Sequence, residues 1–374
     1  MRNVSIVITS YNYGRYLHDT IGSVLNQTYA ASEVIVVDDG STDNSREVIE
    51  CFGNRIKAVF KQNGGQASAM NAAMSISHGD AVCFVDSDDL LFPTAIERAM
   101  EFLSRGVVKV HWPLQAIDEK GAPTGAIMHE HDLAQGDLRE SVIRSGPDGY
   151  VWQSTSGNVW SRDFLEAIGP IPEDAFVFGP DVFLSALAPF YGSIARIEEP
   201  QGAYRLHGSN TTCRDSFPER VCSAVRVWEH AFDALEQQCT RLGLAVDRSA
   251  WAEQSWWHRT ESALNIILRT IPRDATILLM DAGEWVVGGM LAGRLCLPFL
   301  ERDGEYWGPP EDDTVATREL ERMRHQGAQF VVILPPTFWW LDHYGGFADR
   351  LLRKYRVIHR CDNAIIVELN GGTP

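Results

Sequence analysis

Within the first hundred residues, short uncharged apolar runs alternate with segments of helical spacing, and this restricts the fold more than any other feature. "VSIVITSY" is apolar and rich in β-branched residues, whereas "YLHDTIGSVLNQ" places Leu17, Ile21, Val24 and Leu25 at helical intervals. "EVIVVDD" then reads as a strand, "DNSREVIECF" as a helix, "IKAVF" as a strand, "GQASAMNAAMSIS" as a helix and "DAVCFVD" as a strand. Such alternation makes right-handed βαβ units, and these build a mainly parallel sheet with helices on both faces. Uncharged runs such as "VIVV" and "AVCFV" suit strands buried on both sides. The expected class is α/β.

Beyond Phe92 the signal loosens to a helix near Thr94–Arg105, a strand near Val107–Trp112 and a helix-like stretch at Asp181–Ala188. Two long helical stretches follow, near Phe217–Leu242 and Ala250–Thr270, before "TILLMDAG", "QFVVILPP" and "NAIIVEL" return to strands. A chain of 374 residues has room for two or three domains. The expected division is a sheet domain over 1–212, a helical linker over 213–271 and a small Rossmann-like α/β domain over 272–374.

The formal net charge of −17 argues against nonspecific nucleic-acid binding, which depends on Lys and Arg neutralising phosphates. Seven scattered cysteines without a C-x-x-C pair point to a reducing compartment and to no structural zinc site. "MRNVSIVITSYN" lacks a signal-peptide core, and no run of about 18 uncharged apolar residues exists. No membrane span is expected. The expected location is cytoplasmic, with peripheral attachment to the inner face of the cell membrane left open.

Acids gather at the strand ends. Asp38 and Asp39 close the second strand, and Asp86, Asp88 and Asp89 close the fourth; the first ends in Thr9, Ser10, Tyr11 and Asn12. Open α/β sheets bind ligands beyond the carboxyl ends of their parallel strands. Carboxylates there accept hydrogen bonds from a base or a ribose, and a tyrosine face stacks on a base. The D-x-D of Asp86–Ser87–Asp88 suits Mn2+ or Mg2+, which take one or two carboxylates together with diphosphate oxygens. Each motif also has a plain structural account. A lone D-x-D is most often a pair of solvated loop acids, and Ser41 or Asp43 could simply cap a helix. The ordered conjunction on successive βαβ units favours nucleotide handling.

Over roughly residues 1–212, these motifs resemble the family-2 glycosyltransferases, nucleotide-sugar-dependent enzymes of the GT-A fold. The resemblance rests on "VSIVITSYNYGRYLHDTIGSVLNQTY", "EVIVVDDGSTDNS" and "KQNGGQASAMNAAMSISHGDAVCFVDSDD", with Thr9 where a proline is common. It implies that Thr9 and Tyr11 line a nucleoside pocket and that Asp39 reads the base, commonly uracil, while Asp38 supports the loop. It places Gly65 and Asn71 near the nucleotide, Asp86 at the ribose and metal region, and Asp88 on a Mn2+ or Mg2+ ion. "AFVFGPDVFLSAL" aligns Asp181 with the second acid of the family's Glu-Asp pair, hence with the general base of an inverting transfer; Gly179–Pro180 replaces the first acid. Pro180 before an acid is also an ordinary helix start. "STSGNVWSRDFLEAIG" resembles the acceptor-side segment, and "YRLHGSNTT" the closing motif in which Arg205 and His207 approach the diphosphate. For His207 a backbone-bonded loop histidine stands equally open.

The implied donor is a nucleotide-diphosphate sugar, UDP-sugar favoured. The implied acceptor is a glycan, a lipid-linked or a small-molecule hydroxyl, in polysaccharide or glycoconjugate synthesis. Two rivals share some of these features. The missing first acid admits a non-catalytic nucleotide-sugar-binding module. "CFVDSDDL" also resembles the nucleophile strand of haloacid-dehalogenase-type phosphatases, but with Leu90 at the threonine position. In the C-terminal region, Tyr344 and the tryptophans of "FWWLDHYGGF" suit packing or self-association, with acceptor stacking as the alternative.

Overall fold

The computed structural model describes residues 2–208, 210, 216–285 and 289–370. The chain divides into two compact units, Met1–Asn210 with Arg226–Ser255 and Thr211–Val225 with Trp256–Pro374. The helical stretch between the two sheet regions contributes to both, its first helix (Phe217–Arg241) being shared at Val225/Arg226.

The alternating runs of the first unit become β1 (Val4–Ser10), α1 (Gly14–Leu25), β2 (Glu33–Asp38), α2 (Ser45–Glu50), β3 (Lys57–Phe60), α3 (Gln66–Met74) and β4 (Ala81–Asp86). After them come β5 (Leu90–Leu91), α4 (Ala95–Phe102), β6 (Val107–His111), β7 (Leu114–Ile117) and β8 (Pro123–Met128). The unit continues with α5 (Arg139–Ser145), β9 (Asn158–Ser161), α6 (Arg162–Ile168), α7 (Pro180–Leu187), β10 (Ser193–Arg196) and β11 (Gly202–Arg205). Seven strands form one sheet in the order β10-β6-β9-β4-β1-β2-β3. β4, β1, β2 and β3 run parallel, while β9 lies antiparallel between β4 and β6. A second sheet has the order β5-β11-β7-β8.

Strand parity sorts the core into two layers. Val7, Ile35, Val37, Val82 and Phe84 pack with α3, α6 and α7. Ile6, Ile8, Val34, Val36, Cys83 and Val85 pack on the other face with α1, α2 and α4. Both faces are covered, which is why β1 carries no exposed residue. Val227, Phe232, Leu235 and Trp251 complete the first layer.

The second helical stretch is broken where sequence periodicity gave one run. Arg248–Gln254 ends at an extended Ser255, and Trp256–Thr270 restarts beyond it. The second unit holds a six-stranded sheet whose central strands Arg294–Pro298, Thr276–Met280 and Phe330–Ile333 are parallel. Trp340, Tyr344 and Phe347 are buried in that unit's core, while Trp339 is exposed. Among the described residues no helix is long and apolar enough to cross a membrane. The described cysteines are free thiols; Cys213 lies outside the described residues.

Candidate active site

The same parity that builds the core selects which acids face the crevice. Thr9 pairs with Val37 and with Asp86 in the parallel ladder, so these three side chains share the α3/α7 face. Asp39 follows Val37 by two positions and extends the same row. Ser10 and Asp38 are partners on the opposite face, where Asp38 Oδ1 and Ser10 Oγ are buried without a hydrogen-bond partner.

Asp39 is 3% exposed and accepts from Lys61 Nζ at 2.6 Å, from the amide of Gly64 at 3.1 Å and from that of Gly65 at 2.7 Å. It therefore ties β2 to the loop that enters α3. Gly65 begins that helix at φ 88°, and Gln66 N donates to Val177 O at 2.8 Å. Thr9 is buried and Tyr11 is 39% exposed at the end of β1. Asn71, by contrast, spends its amide on the loop before α7. It donates to Ile171 O at 2.8 Å and to Glu173 at 3.1 Å, and accepts from Ile171 N at 2.9 Å.

Around the D-x-D the carboxylates are held by dedicated partners. Gln66 Nε2 donates to Asp86 Oδ1 at 2.7 Å, and Asp86 N donates to Ser156 Oγ at 3.0 Å. Ser156 Oγ in turn donates to Asp89 Oδ2 at 2.6 Å. Asp89 Oδ1 accepts from the amide of Arg205 at 3.0 Å, so Asp89 anchors the turn to β11. Burial, then the charges of Asp89, Asp88 and Asp181, push the Asp86 carboxyl well above its usual range. Burial and Asp88 do the same to Asp89. Burial raises Asp88 as well, opposed by its hydrogen bond with His207.

His207 Nε2 lies 3.0 Å from Asp88 Oδ2, and its ring packs against Tyr13 and Tyr16. Arg205 is 1% exposed. Its Nε donates to Asp88 O at 2.8 Å, its Nη1 to Glu119 O at 3.2 Å, and its guanidinium lies over the Tyr16 ring. The guanidinium thus braces the D-x-D turn from beneath, while His207 touches the D-x-D carboxylate itself.

Asp181 sits in the first turn of α7, entered through Gly179 in the left-handed region at φ 69° and Pro180 at the first helical position. Its Oδ2 accepts from Thr155 N at 3.2 Å and its Oδ1 from Val182 N at 3.1 Å. Burial raises its pKa, opposed by the charge of Lys109. Gln66 Nε2, which donates to Asp86, also reaches Thr155 Oγ1 at 3.4 Å, so Gln66 and Thr155 bridge the Asp86 and Asp181 carboxyls.

Three contributors escaped the sequence reading: Gln66, Ser156 and Lys109. The only sequence signal for Ser156 is its place in the "STSG" run, whose short hydroxyl side chains each offer one donor to an acid. Tyr150 and Trp160 are buried core side chains, and Trp152 packs against the same cluster.

The donor set fits a hard divalent cation. Asp86 commits Oδ1 to Gln66 and Asp88 commits Oδ2 to His207. Mutual repulsion among these buried acids is the strain that a cation would relieve. Among the described residues, no three His, Cys, Asp or Glu side chains form a closed metal cage.

Residues 5–138 match the family model for glycosyl transferase family 2. The chain is 35% identical over 212 residues to an uncharacterized glycosyltransferase of a Nostoc species, an alignment covering 55% of this chain and 66% of that protein. It is 47% identical over 104 residues to the chondroitin synthase of Pasteurella multocida, covering 27% of this chain and 11% of the relative. The chain thus spans less than two thirds of these curated relatives. Among solved structures, Staphylococcus aureus TarS 1–349 in complex with UDP-GlcNAc aligns at TM-score 0.48 and 16% identity, over 72% of this chain and 76% of TarS.

Proposed function

We propose that the chain, whose residues 5–138 match the family model for glycosyl transferase family 2, is a metal-dependent inverting glycosyltransferase. It moves a sugar from a nucleotide-diphosphate donor, UDP-sugar by preference, to an acceptor hydroxyl. The observation that carries the reading is that Gln66 Nε2 bridges Asp86 Oδ1 at 2.7 Å and Thr155 Oγ1 at 3.4 Å, while Thr155 N donates to Asp181 Oδ2 at 3.2 Å, so the D-x-D and Asp181 meet at one sheet edge.

Thr9, Tyr11 and Asp39 form the row that receives the nucleoside, with Asp39 already held by Lys61 and the Gly64–Gly65 amides. Asp88, with Asp86 beside it, would hold Mn2+ or Mg2+. A cation held there would supply charge neutralisation for the departing diphosphate. His207 orients the Asp88 carboxylate, and Arg205 fixes the turn that presents it. Asp181 takes the proton of the acceptor hydroxyl as that oxygen attacks the anomeric carbon from the face opposite the leaving group. Burial raises the pKa of Asp181, which strengthens its carboxylate as a base, while the charge of Lys109 and the backbone amides oppose that rise. Positioning of donor and acceptor supplies much of the acceleration.

The test measures UDP release and product formation across a panel of UDP-, GDP- and dTDP-sugars with Mn2+. Asp181→Asn is expected to keep nucleotide binding and lose at least about a hundredfold in turnover, the scale of one general base. Asp88→Asn is expected to lose metal-dependent thermal stabilisation by UDP. Wild-type turnover in Asp181→Asn overturns the base assignment, and tight donor binding without any turnover in the wild type favours a binding module.

A further inference from the structure

β2 and β3 set opposite charges side by side at the edge of the crevice. The two strands run parallel with Asp38 opposite Phe60, and Lys61 N donates to Asp38 O at 3.0 Å. Lys61 therefore follows β3 as Asp39 follows β2, and the two side chains meet on one face. Lys61 Nζ donates to Asp39 Oδ1 at 2.6 Å and to Gln62 O at 2.8 Å. Glycine at position 64 makes room for the ammonium, since a Cβ there would stand 3.1 Å from Lys61 Nζ and 2.8 Å from Ser68 Oγ. The lysine side chain is 23% exposed and that of Asp39 only 5%, so the pair keeps its opening to solvent at the lysine.

The hydrogens on this pair limit what a base can add. An ionised carboxylate has about four lone-pair sites. Three donors already use those of Asp39: Lys61 Nζ on Oδ1, the Gly65 amide on Oδ2 at 2.7 Å, and the Gly64 amide shared between both oxygens at 3.1 Å. One further N–H fits, and two adjacent ones do not. Among the described residues, Asp39 and Gln62 O take two of the three ammonium hydrogens, which leaves one for a carbonyl. Uracil, with a single N–H between two carbonyls, matches one acceptor site beside one donor. Guanine presents its ring N–H and its 2-amino group side by side, an edge that takes both oxygens of a free carboxylate. With Oδ1 held by Lys61, the amino group has no acceptor, and a buried donor left unpaired is the usual ground on which a polar site rejects a ligand.

We infer that Lys61 is a specificity-determining residue of the nucleotide site. It caps one side of Asp39 and donates to a base carbonyl, so the site takes the imide edge of uracil over the N–H and amino edge of guanine. The inference rests on the proposed reading in which Asp39 receives the nucleoside.

The full chain is titrated calorimetrically with UDP, GDP and IDP in the presence of Mn2+, as wild type and as Lys61→Met. Wild type is expected to bind UDP at least about tenfold more tightly than GDP, the scale of one buried unpaired donor. Lys61→Met removes the carbonyl partner and frees Asp39 Oδ1. UDP should then weaken by about tenfold while GDP holds or tightens. A lysine that only braced the loop would weaken both nucleotides alike. An unchanged UDP-to-GDP ratio in folded Lys61→Met, or a wild type that prefers GDP, overturns the inference and leaves the transferase reading standing. Failure of the wild type to bind any of the three removes the proposed nucleotide site, and the inference with it. Should Lys61→Met fail to fold, IDP decides on the wild type alone. Its base differs from guanine only in lacking the 2-amino group, so IDP should bind about tenfold more tightly than GDP. Equal binding of the two counts against the inference.

Discussion

Gly65 shows how much one residue without a side chain controls at this site. Its φ of 88° with ψ of 174° belongs to a region almost reserved for glycine, and a Cβ there would lie 2.6 Å from Val177 O. Its amide also donates to Asp39, and the next amide donates to Val177 O. The residue thus joins Asp39, at the end of β2, to the approach to α7. Gly65→Ala is expected to cost about 1–3 kcal/mol in backbone strain and to weaken nucleotide binding, because both contacts must shift. Denaturant unfolding and UDP-dependent thermal stabilisation, measured on the same samples, check the two effects. Retention of both would mean that the loop reaches the site by another route. The sequence marked Gly65 through its motif, but the reason for it, close approach of Val177, depends on a residue more than a hundred positions away.

At the scale of elements, what was legible depended on how cleanly a strand wrote its burial into its residues. β1, β2 and β4 carry uninterrupted apolar runs, and parity along them separates Asp39 from Asp38 once the ladder is known. β9 and β11, four residues each, have no such run and were not marked as strands in the sequence, although β9 sits inside the main sheet. β6 misleads in another way. Lys109 and His111 alternate with valines as on a strand with one wet face, yet both are fully buried. The carboxylate cluster was readable because its members end consecutive strands, whereas Gln66, Ser156 and Lys109 enter through tertiary contacts. The rim of β2 offers a test of its own. Glu33 is drawn up by burial, but bonds from Lys57, Ser5 and the amide of His78 outweigh that and bring its pKa from 4.5 to about 2. A carboxyl depressed in the folded state contributes stability above its unfolded pKa and loses it as pH falls toward the folded value. Unfolding free energy should therefore decline from about pH 5 toward pH 2, and Glu33→Gln should flatten part of that slope. An identical pH dependence in the mutant would mean that Glu33 is not a source of it.

For the molecule as a whole, the decisive question is where the first unit ends along the chain. Residues 1–210 supply its sheets, but Val227, Phe232, Leu235 and Trp251 belong to the same core layer as α3 and α7. Trp251 is completely buried, donates from Nε1 to Ile143 O at 2.9 Å, and packs where any side chain on Gly146 would have to stand. Val227 lies where a Cβ on Gly179, the left-handed residue that admits α7 and Asp181, would make van der Waals contact. Losing four such side chains at roughly 2 kcal/mol each approaches the whole stability of an ordinary domain, about 5–15 kcal/mol. A chain ending at residue 212, where the family resemblance stops, is therefore expected to be unfolded or to bind UDP and Mn2+ poorly. A chain ending at Ser255 retains Phe217, Val221 and Val225, whose burial belongs to the core of the second unit, and exposed they would promote aggregation. With these three replaced by polar residues, the chain ending at Ser255 is expected to keep the fold and nucleotide binding. Circular dichroism, Tm and UDP-dependent stabilisation of the two truncated chains decide the matter. Equal stability of the chain ending at 212 would assign Arg226–Ser255 to the second unit, and Val227 beside Gly179 would have no part in placing Asp181.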